Sequence, residues 1–204
     1  MARQAVVSLE ALRERIRELE GAPVQVERIR TGVAAIDGLV GGLPQPGIVE
    51  LHGPPGSGRT RLALALAARF TGEGRLVAWV DADRTLYPPA AGDLDVALQR
   101  LLVVRPPADR VVWSVEQLLR SGCFPVVGVS GLGRIHNAGP GWAHAAEAGS
   151  CTLIVLADQP MREIPAVIRL AVGHGEATVV RDRAGRIGKA APLPPWPEQA
   201  DPWR

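Results

Sequence analysis

Eight consecutive residues constrain this chain more than any others: Gly53-Pro54-Pro55-Gly56-Ser57-Gly58-Arg59-Thr60. They nearly match G-x-x-x-x-G-K-[ST], the loop that joins a β-strand to an α-helix and turns its backbone N–H groups toward a phosphate. The surroundings suit that loop. Ile48-Val49-Glu50-Leu51-His52 reads as a short strand, and residues 60–70 read as an Ala/Leu-rich helix. Gly53, Gly56, Ser57, Gly58, Arg59 and Thr60 are therefore the candidate nucleotide-binding residues, with Thr60 where a Mg²⁺-binding hydroxyl belongs. Arg59 is the departure. Lysine works at that position as a compact point charge, whereas a guanidinium is planar, broad and delocalised. The swap follows a chain-wide bias, since Lys189 is the only lysine among 23 basic residues. The loop is a strong signature of fold and a weak one of hydrolysis.

The rest of the chain agrees with an α/β fold. Residues 76–80, 101–104, 124–129 and 152–157 are apolar strands, and they alternate with helices at 110–120 and 142–148. Strands that are apolar throughout indicate a mostly parallel sheet covered on both faces. Residues 166–172 and 176–182 flank Gly173-His174-Gly175 and read as a β-hairpin. Before the core, Ser8 caps an amphipathic helix whose stripe is Leu9, Leu12, Ile16 and Leu19, ended by Gly21-Ala22-Pro23. From Ala191 the chain is proline-rich and without period, which reads as a flexible tail. The expected division is a helical arm at 1–23, a core domain at 24–190 and a tail at 191–204.

Composition narrows the function. Hydrophobic residues make up 47% and charged residues 22%, as in globular proteins. No apolar run approaches the roughly 18 residues of a membrane span. The first residues lack an apolar signal core, so the expected location is the cytoplasm, with no membrane partner. A formal charge of only +2 does not describe a large phosphate footprint, so contact with DNA is expected to be weak or indirect. Cys123 and Cys151 read as buried free thiols, and the histidines show no ligand spacing. No metal centre is expected.

Other parts of a phosphoryl-transfer site should be acidic groups at strand ends. Asp83, in Trp79-Val80-Asp81-Ala82-Asp83, is one candidate; an Asp capping the following turn is the alternative reading. The strand at 126–129 should deliver a Mg²⁺-holding Asp and delivers Ser130, a poor ligand for a hard cation. The glycine-rich stretch 131–141 holds Arg134, His136 and Asn137, either phosphate contacts or a solvated connection.

These residues carry a resemblance. Thr31-Gly32, Ile36-Asp37, Gly41-Gly42-Leu43-Pro44 and Gly47-Ile48-Val49-Glu50-Leu51, leading into the loop, resemble the core of bacterial RecA. Asp81-Ala82-Asp83 is similar to the RecA strand end that carries its catalytic glutamate, one methylene shorter here. Thr152-Leu153-Ile154 through Asp158-Gln159 resembles the strand ending in a nucleotide-sensing glutamine, which would be Gln159. Within that superfamily the chain is identified as a member of the ImuA family, RecA-like accessory proteins of bacterial mutagenic translesion-synthesis cassettes. Tyr87-Pro88-Pro89-Ala90, Leu101-Leu102-Val103-Val104-Arg105-Pro106, Trp113-Ser114-Val115-Glu116-Gln117-Leu118-Leu119-Arg120-Ser121-Gly122 and Ala146-Glu147-Ala148-Gly149 carry that likeness.

The resemblance implies a non-catalytic protein of DNA-damage-induced mutagenesis that binds RecA and a Y-family-polymerase-like partner. It would be nucleoid-associated through those partners, and it would restrain recombination. Asp83, Ser130 and Gln159 would be remnants of a decayed site. ATP with Mg²⁺, held without efficient turnover, is the cofactor left open, and a weakly active ATPase or recombination mediator is the alternative. The two segments that hold DNA in RecA are abbreviated here, to residues 131–141 and 160–165. The candidate partner-binding residues are the arm stripe Leu9, Leu12, Ile16 and Leu19, then Trp113 on the charged face of its helix, and Trp196 and Trp203 among the final prolines. Each has a plainer reading: core packing for the arm, cover for a sheet edge for Trp113, a disordered end for the last two.

Overall fold

Apolar strands that alternate with helices bury both faces of one sheet, and this chain does so. The computed structural model describes residues 27–133, 138–182 and 184–195. The arm stripe Leu9, Leu12, Ile16 and Leu19, the loop residues Arg134, His136 and Asn137, and Trp196 and Trp203 lie outside the described residues.

In chain order the elements are β1 (Glu27–Ile29), α1 (Ala34–Val40), β2 (Leu43–Gln45), β3 (Gly47–His52), α2 (Arg59–Gly72), β4 (Val77–Asp81), α3 (Pro88–Gly92) and β5 (Leu101–Val104). There follow α4 (Val111–Arg120), β6 (Val126–Ser130), α5 (Ala138–Ala148), β7 (Thr152–Ala157), β8 (Ile168–Gly173), β9 (Glu176–Asp182) and β10 (Ala190–Pro192). The main sheet runs β10-β9-β8-β3-β7-β6-β4-β5, parallel from β8 to β5 and antiparallel at β8-β9-β10. This is the mostly parallel α/β sheet with a terminal hairpin that the strand pattern predicts. A separate two-stranded ribbon, β1 with β2, precedes it.

Side-chain alternation along each strand sorts the core into two layers. Val49, Leu51, Val77 and Trp79 face α1 and α2, meeting Ile36, Leu62, Leu66 and Phe70. Ile48, Val127, Val129 and Leu153 face α4 and α5, meeting Val115, Leu119, Trp142 and Ala146. The apolar stripe of α2 recurs at Leu62, Leu66 and Phe70, the spacing that keeps one helical face on a sheet.

Three local readings change. The helix expected at 142–148 starts a turn earlier, at Ala138, so Gly139 and Gly141 lie in the helix and the connection after β6 is shorter than 131–141. Ala191 and Pro192, read as the start of the tail, belong to β10, and the Leu193 N–H donates to the Gly175 carbonyl at 2.7 Å. Edge pairing with β9 overrides the proline-rich composition there. Cys123 is exposed, in the turn after α4, whereas Cys151 is buried as expected and burial pushes its thiol up to about 11.

The Thr31-Gly32…Asp37 pattern has a structural reason. The Asp37 carboxylate accepts from the Thr31 N–H (2.8 Å), the Thr31 hydroxyl (2.9 Å) and the Gly32 N–H (3.1 Å), tying the turn to the start of α1. Among the described residues, no helix is long and apolar enough to cross a membrane.

Candidate functional site

Residues 53–58 cross from the C-terminal end of β3 to the N-terminus of α2. Gly56 and Gly58 hold the turn at φ 80° and 91°, a left-handed conformation that a side chain disfavours. The loop is anchored by the Gly53 N–H on the Ala157 carbonyl at 3.2 Å and the Ser57 N–H on Pro54 at 3.0 Å. The start of α2 is therefore open, its first N–H groups without a side-chain cap and the positive end of the helix dipole behind them. The Ser57 hydroxyl is buried with no hydrogen-bond partner among the described residues. An orphaned hydroxyl inside a glycine loop suits a phosphate oxygen as its missing partner.

A cleft of about 660 Å³ opens beside this loop along the C-terminal ends of the parallel strands. Arg59, Thr60, Asp83, Ser130, Asp158 and Gln159 all line it. The topology thus brings together side chains that are scattered over 100 positions, between Arg59 and Gln159. Placement at strand C-terminal ends is where ligands bind in open α/β sheets.

The side chains themselves are disposed unlike those of a hydrolytic site. The Arg59 guanidinium folds back over the loop, donating to the Gly53 carbonyl and pairing with the Asp158 carboxylate just past β7. Ser130 is nearly buried, and its hydroxyl accepts from the Trp79 indole N–H at 3.2 Å. Trp79 lies against Gly128, its register partner on β6; a Cβ there would fall 2.5 Å from the indole Cε3. Gly128 and Ser130 thus both serve the tryptophan. Asp83 is exposed in the cleft, and the turn that follows is held by Asp81 instead, which accepts from the Thr85 and Leu86 N–H groups at 3.0 and 3.2 Å. Asp81 also pairs with Arg105 at 2.8 Å. Thr60 and Gln159 are exposed to the cleft.

The fit to ATP and Mg²⁺ is accordingly split. The loop, the orphaned Ser57 hydroxyl and Thr60 suit a phosphate chain. The strand end that should hold the cation offers only a hydroxyl already used by Trp79, and among the described residues no group of three or more His, Cys, Asp or Glu side chains is placed to hold a metal ion.

Three buried charged or titratable groups escape a reading by motif. Glu50 on β3 and Arg169 on β8 are register partners, paired at 2.7 Å with both side chains nearly inaccessible. Glu50 also accepts the Met161 N–H at 3.0 Å, and Arg169 donates to the Met161 carbonyl at 2.7 Å. The pair so grips the segment between β7 and β8, where Met161 and Glu163 form one wall of the cleft. His52 stands beside it, with Nδ1 3.7 Å from Glu50. Burial raises the Glu50 carboxyl above its ordinary value, opposed by Arg169 and the Met161 N–H. Burial, and then the Arg169 charge, lower His52. The available signal was one acid and one base, each interrupting an apolar strand.

On α4, Trp113, Gln117 and Arg120 are exposed, opposite the buried Val115 and Leu119. The Arg110 guanidinium lies 5.9 Å from the Trp113 ring centre. Trp113 is 54% exposed.

The family model for the RecA N-terminal domain matches residues 10–137. Curated relatives include RecA of Nostoc sp. (strain PCC 7120), 40% identical over 106 residues, which are 51% of this chain and 30% of that protein. RecA of Rhizobium rhizogenes is 38% identical over 112 residues, 53% of this chain and 31% of its own length. RecA of Chlorobium limicola is 39% identical over 114 residues, 54% and 33% respectively. The match therefore spans about a third of these relatives. Among solved structures, the RadB recombinase superposes with a TM-score of 0.64 at 21% identity, covering 79% of this chain and 93% of that one.

Proposed function

The chain belongs to the family of the RecA N-terminal domain, and from that premise we propose that it is a non-hydrolytic, partner-binding member of it. It serves DNA-damage-induced mutagenesis of the translesion-synthesis kind, as its likeness to the ImuA family implies. It binds RecA and a Y-family-polymerase-like partner, and it restrains recombination by occupying a RecA surface. Its contact with DNA is weak or indirect.

One observation carries the reading: Arg59 stands where phosphoryl transfer wants a lysine and Ser130 where it wants an acid, and both side chains are engaged by the protein. Arg59 is held by Gly53 and Asp158, and Ser130 by Trp79. Loss of one well-placed transition-state contact commonly costs about 3–4 kcal/mol, or 10²–10³ in rate. A site lacking two retains little turnover. The intact loop geometry, with Thr60, Asp83 and Gln159 lining the same cleft, supports the second reading, a weakly active RecA-type ATPase or recombination mediator.

The test joins two measurements on the full chain. Binding to purified RecA and to the polymerase-like partner, with and without ATP, is expected, and Leu12→Asp with Ile16→Asp should abolish the RecA contact while circular dichroism shows an intact fold. Charges on an apolar docking stripe are costly. ATP hydrolysis should stay near background and rise little in Arg59→Lys. Turnover typical of P-loop ATPases, lost in Thr60→Ala, would establish the second reading; no RecA binding would remove the first.

A further inference from the structure

We propose that the Arg59–Asp158 ion pair is an autoinhibitory latch, in which the Asp158 carboxylate occupies the guanidinium that a phosphate chain would otherwise take. The proposal rests on the reading of residues 53–60 as a phosphate loop and adds a regulatory contact to it.

The geometry is specific. Arg59 is the first residue of α2, directly after the left-handed Gly58, so its side chain leaves the helix at the mouth of the loop. A guanidinium presents a planar fork of donors and recognises two oxygens at once. Here one arm of the fork is on the Gly53 carbonyl and the other on the Asp158 carboxylate. Its donors therefore point across the loop, back toward β3 and β7. A carboxylate and a phosphate oxygen compete for the same planar donors, so an anion that takes the donor facing Asp158 must displace that carboxylate.

Asp158 is on a backbone that holds it in place. Just before it, the Ala157 carbonyl accepts the Gly53 N–H. Just after it, Met161 is gripped through both its N–H and its carbonyl by the buried Glu50–Arg169 pair. The carboxylate is thereby presented to Arg59 by strand β7 on one side and a clamped segment on the other. The Arg59 side chain is 19% exposed and that of Asp158 64%. A pair so wet on one side is weak, which suits a latch that a multivalent anion is able to open.

Calorimetry of the full chain with inorganic pyrophosphate, without Mg²⁺, tests this. Asp158→Asn should bind pyrophosphate about two- to fivefold more tightly than the wild type, the upper part of the range for one partly exposed ion pair. The same change in an Arg59→Ala background separates the latch from simple repulsion. If Asp158 acts by holding Arg59, the gain vanishes there. A gain that persists undiminished without the guanidinium overturns the latch, and so does equal binding by wild type and Asp158→Asn. Pyrophosphate binding by none of these folded variants removes the phosphate reading itself, and the latch with it. An ATP arm distinguishes the ligand source: a gain equal to that with pyrophosphate assigns the contact to the phosphate chain, and a gain confined to ATP overturns a latch on phosphate.

Discussion

Replacing Arg169 by methionine isolates the buried charge of Glu50. In the wild type the pair is 2.7 Å apart and both side chains are almost wholly out of water. Methionine keeps most of the aliphatic bulk and removes the cation. Breaking one side of a buried pair costs about 3–5 kcal/mol, because the remaining charge is uncompensated. For a domain of this size that corresponds to a fall in Tm of roughly 6–20 °C. The sign of the pH dependence follows from Glu50, whose carboxyl burial already raises. A carboxyl raised in the folded state favours folding while protonated. Its contribution is full below the unfolded carboxylate range and is lost as pH rises through the folded value. Without Arg169, the main group opposing that rise, the window extends to higher pH, with a slope of up to about 1.4 kcal/mol per pH unit. The Met161 and Ile164 carbonyls also lose a donor, a cost that does not vary with pH. Urea unfolding followed by circular dichroism at pH 5 and pH 8 should show a larger penalty at pH 8 with an unchanged m-value. Adding Glu50→Leu should recover most of it. A penalty below about 1 kcal/mol at pH 8, or one equal at the two pH values, would refute the reasoning.

Other expectations are as direct. Gly128→Val should destabilise by about 1–3 kcal/mol or more through collision with Trp79, and Trp79→Leu in that background should recover part; additive losses in chemical denaturation would contradict the packing argument. Cys151 is buried and Cys123 exposed, so a thiol-reactive dye should label Cys123 alone in the folded protein and both cysteines in denaturant. Burial, and then the Arg169 charge, lower His52, so stability should fall as pH drops below its unfolded value of about 6.5, and His52→Gln should flatten that limb of the acid titration. Duplex DNA should bind weakly and with strong salt dependence; an affinity of about 10⁻⁸ M at physiological salt would contradict the charge argument.

The strands and the loop were legible because each has a dominant local cause. Residues 101–104 and 152–157 are short runs of β-branched and leucine-rich sequence, and they are strands with the predicted bounds. The loop at 53–58 follows from its glycines. The co-location of Asp83, Ser130 and Gln159 followed from the order of strands in a known type of sheet, since spacing alone carries no such information. The fate of the side chains was not legible. That Arg59 turns inward depends on Asp158, 99 positions away, and that Ser130 is used by Trp79 depends on register between β4 and β6. Helix α1 and strand β2 were invisible because a seven-residue helix and a three-residue strand owe their existence to packing and pairing, not to propensity. The Glu50–Arg169 pair was hidden for a similar reason: opposite charges become partners only once β3 and β8 are adjacent.

Strand order has a consequence for synthesis. The loop and strand β3 emerge early, yet both neighbours of β3 are late: Gly47 pairs with Thr152, and Val49 with Ile168. At roughly 5–20 residues per second, a nascent β3 waits on the order of 5–20 s for β7 to be made. Through that interval the central strand has no edge to pair with, and β4 likewise lacks β6 until residues 126–130 appear. The β6-β4-β5 side of the sheet can therefore pair first, and β3 joins it only when the last third of the chain is available. A ribosome stalled before β7 would present Ile48, Val49 and Leu51 to solvent as an unpaired apolar ribbon, a natural client for chaperones that recognise such strands.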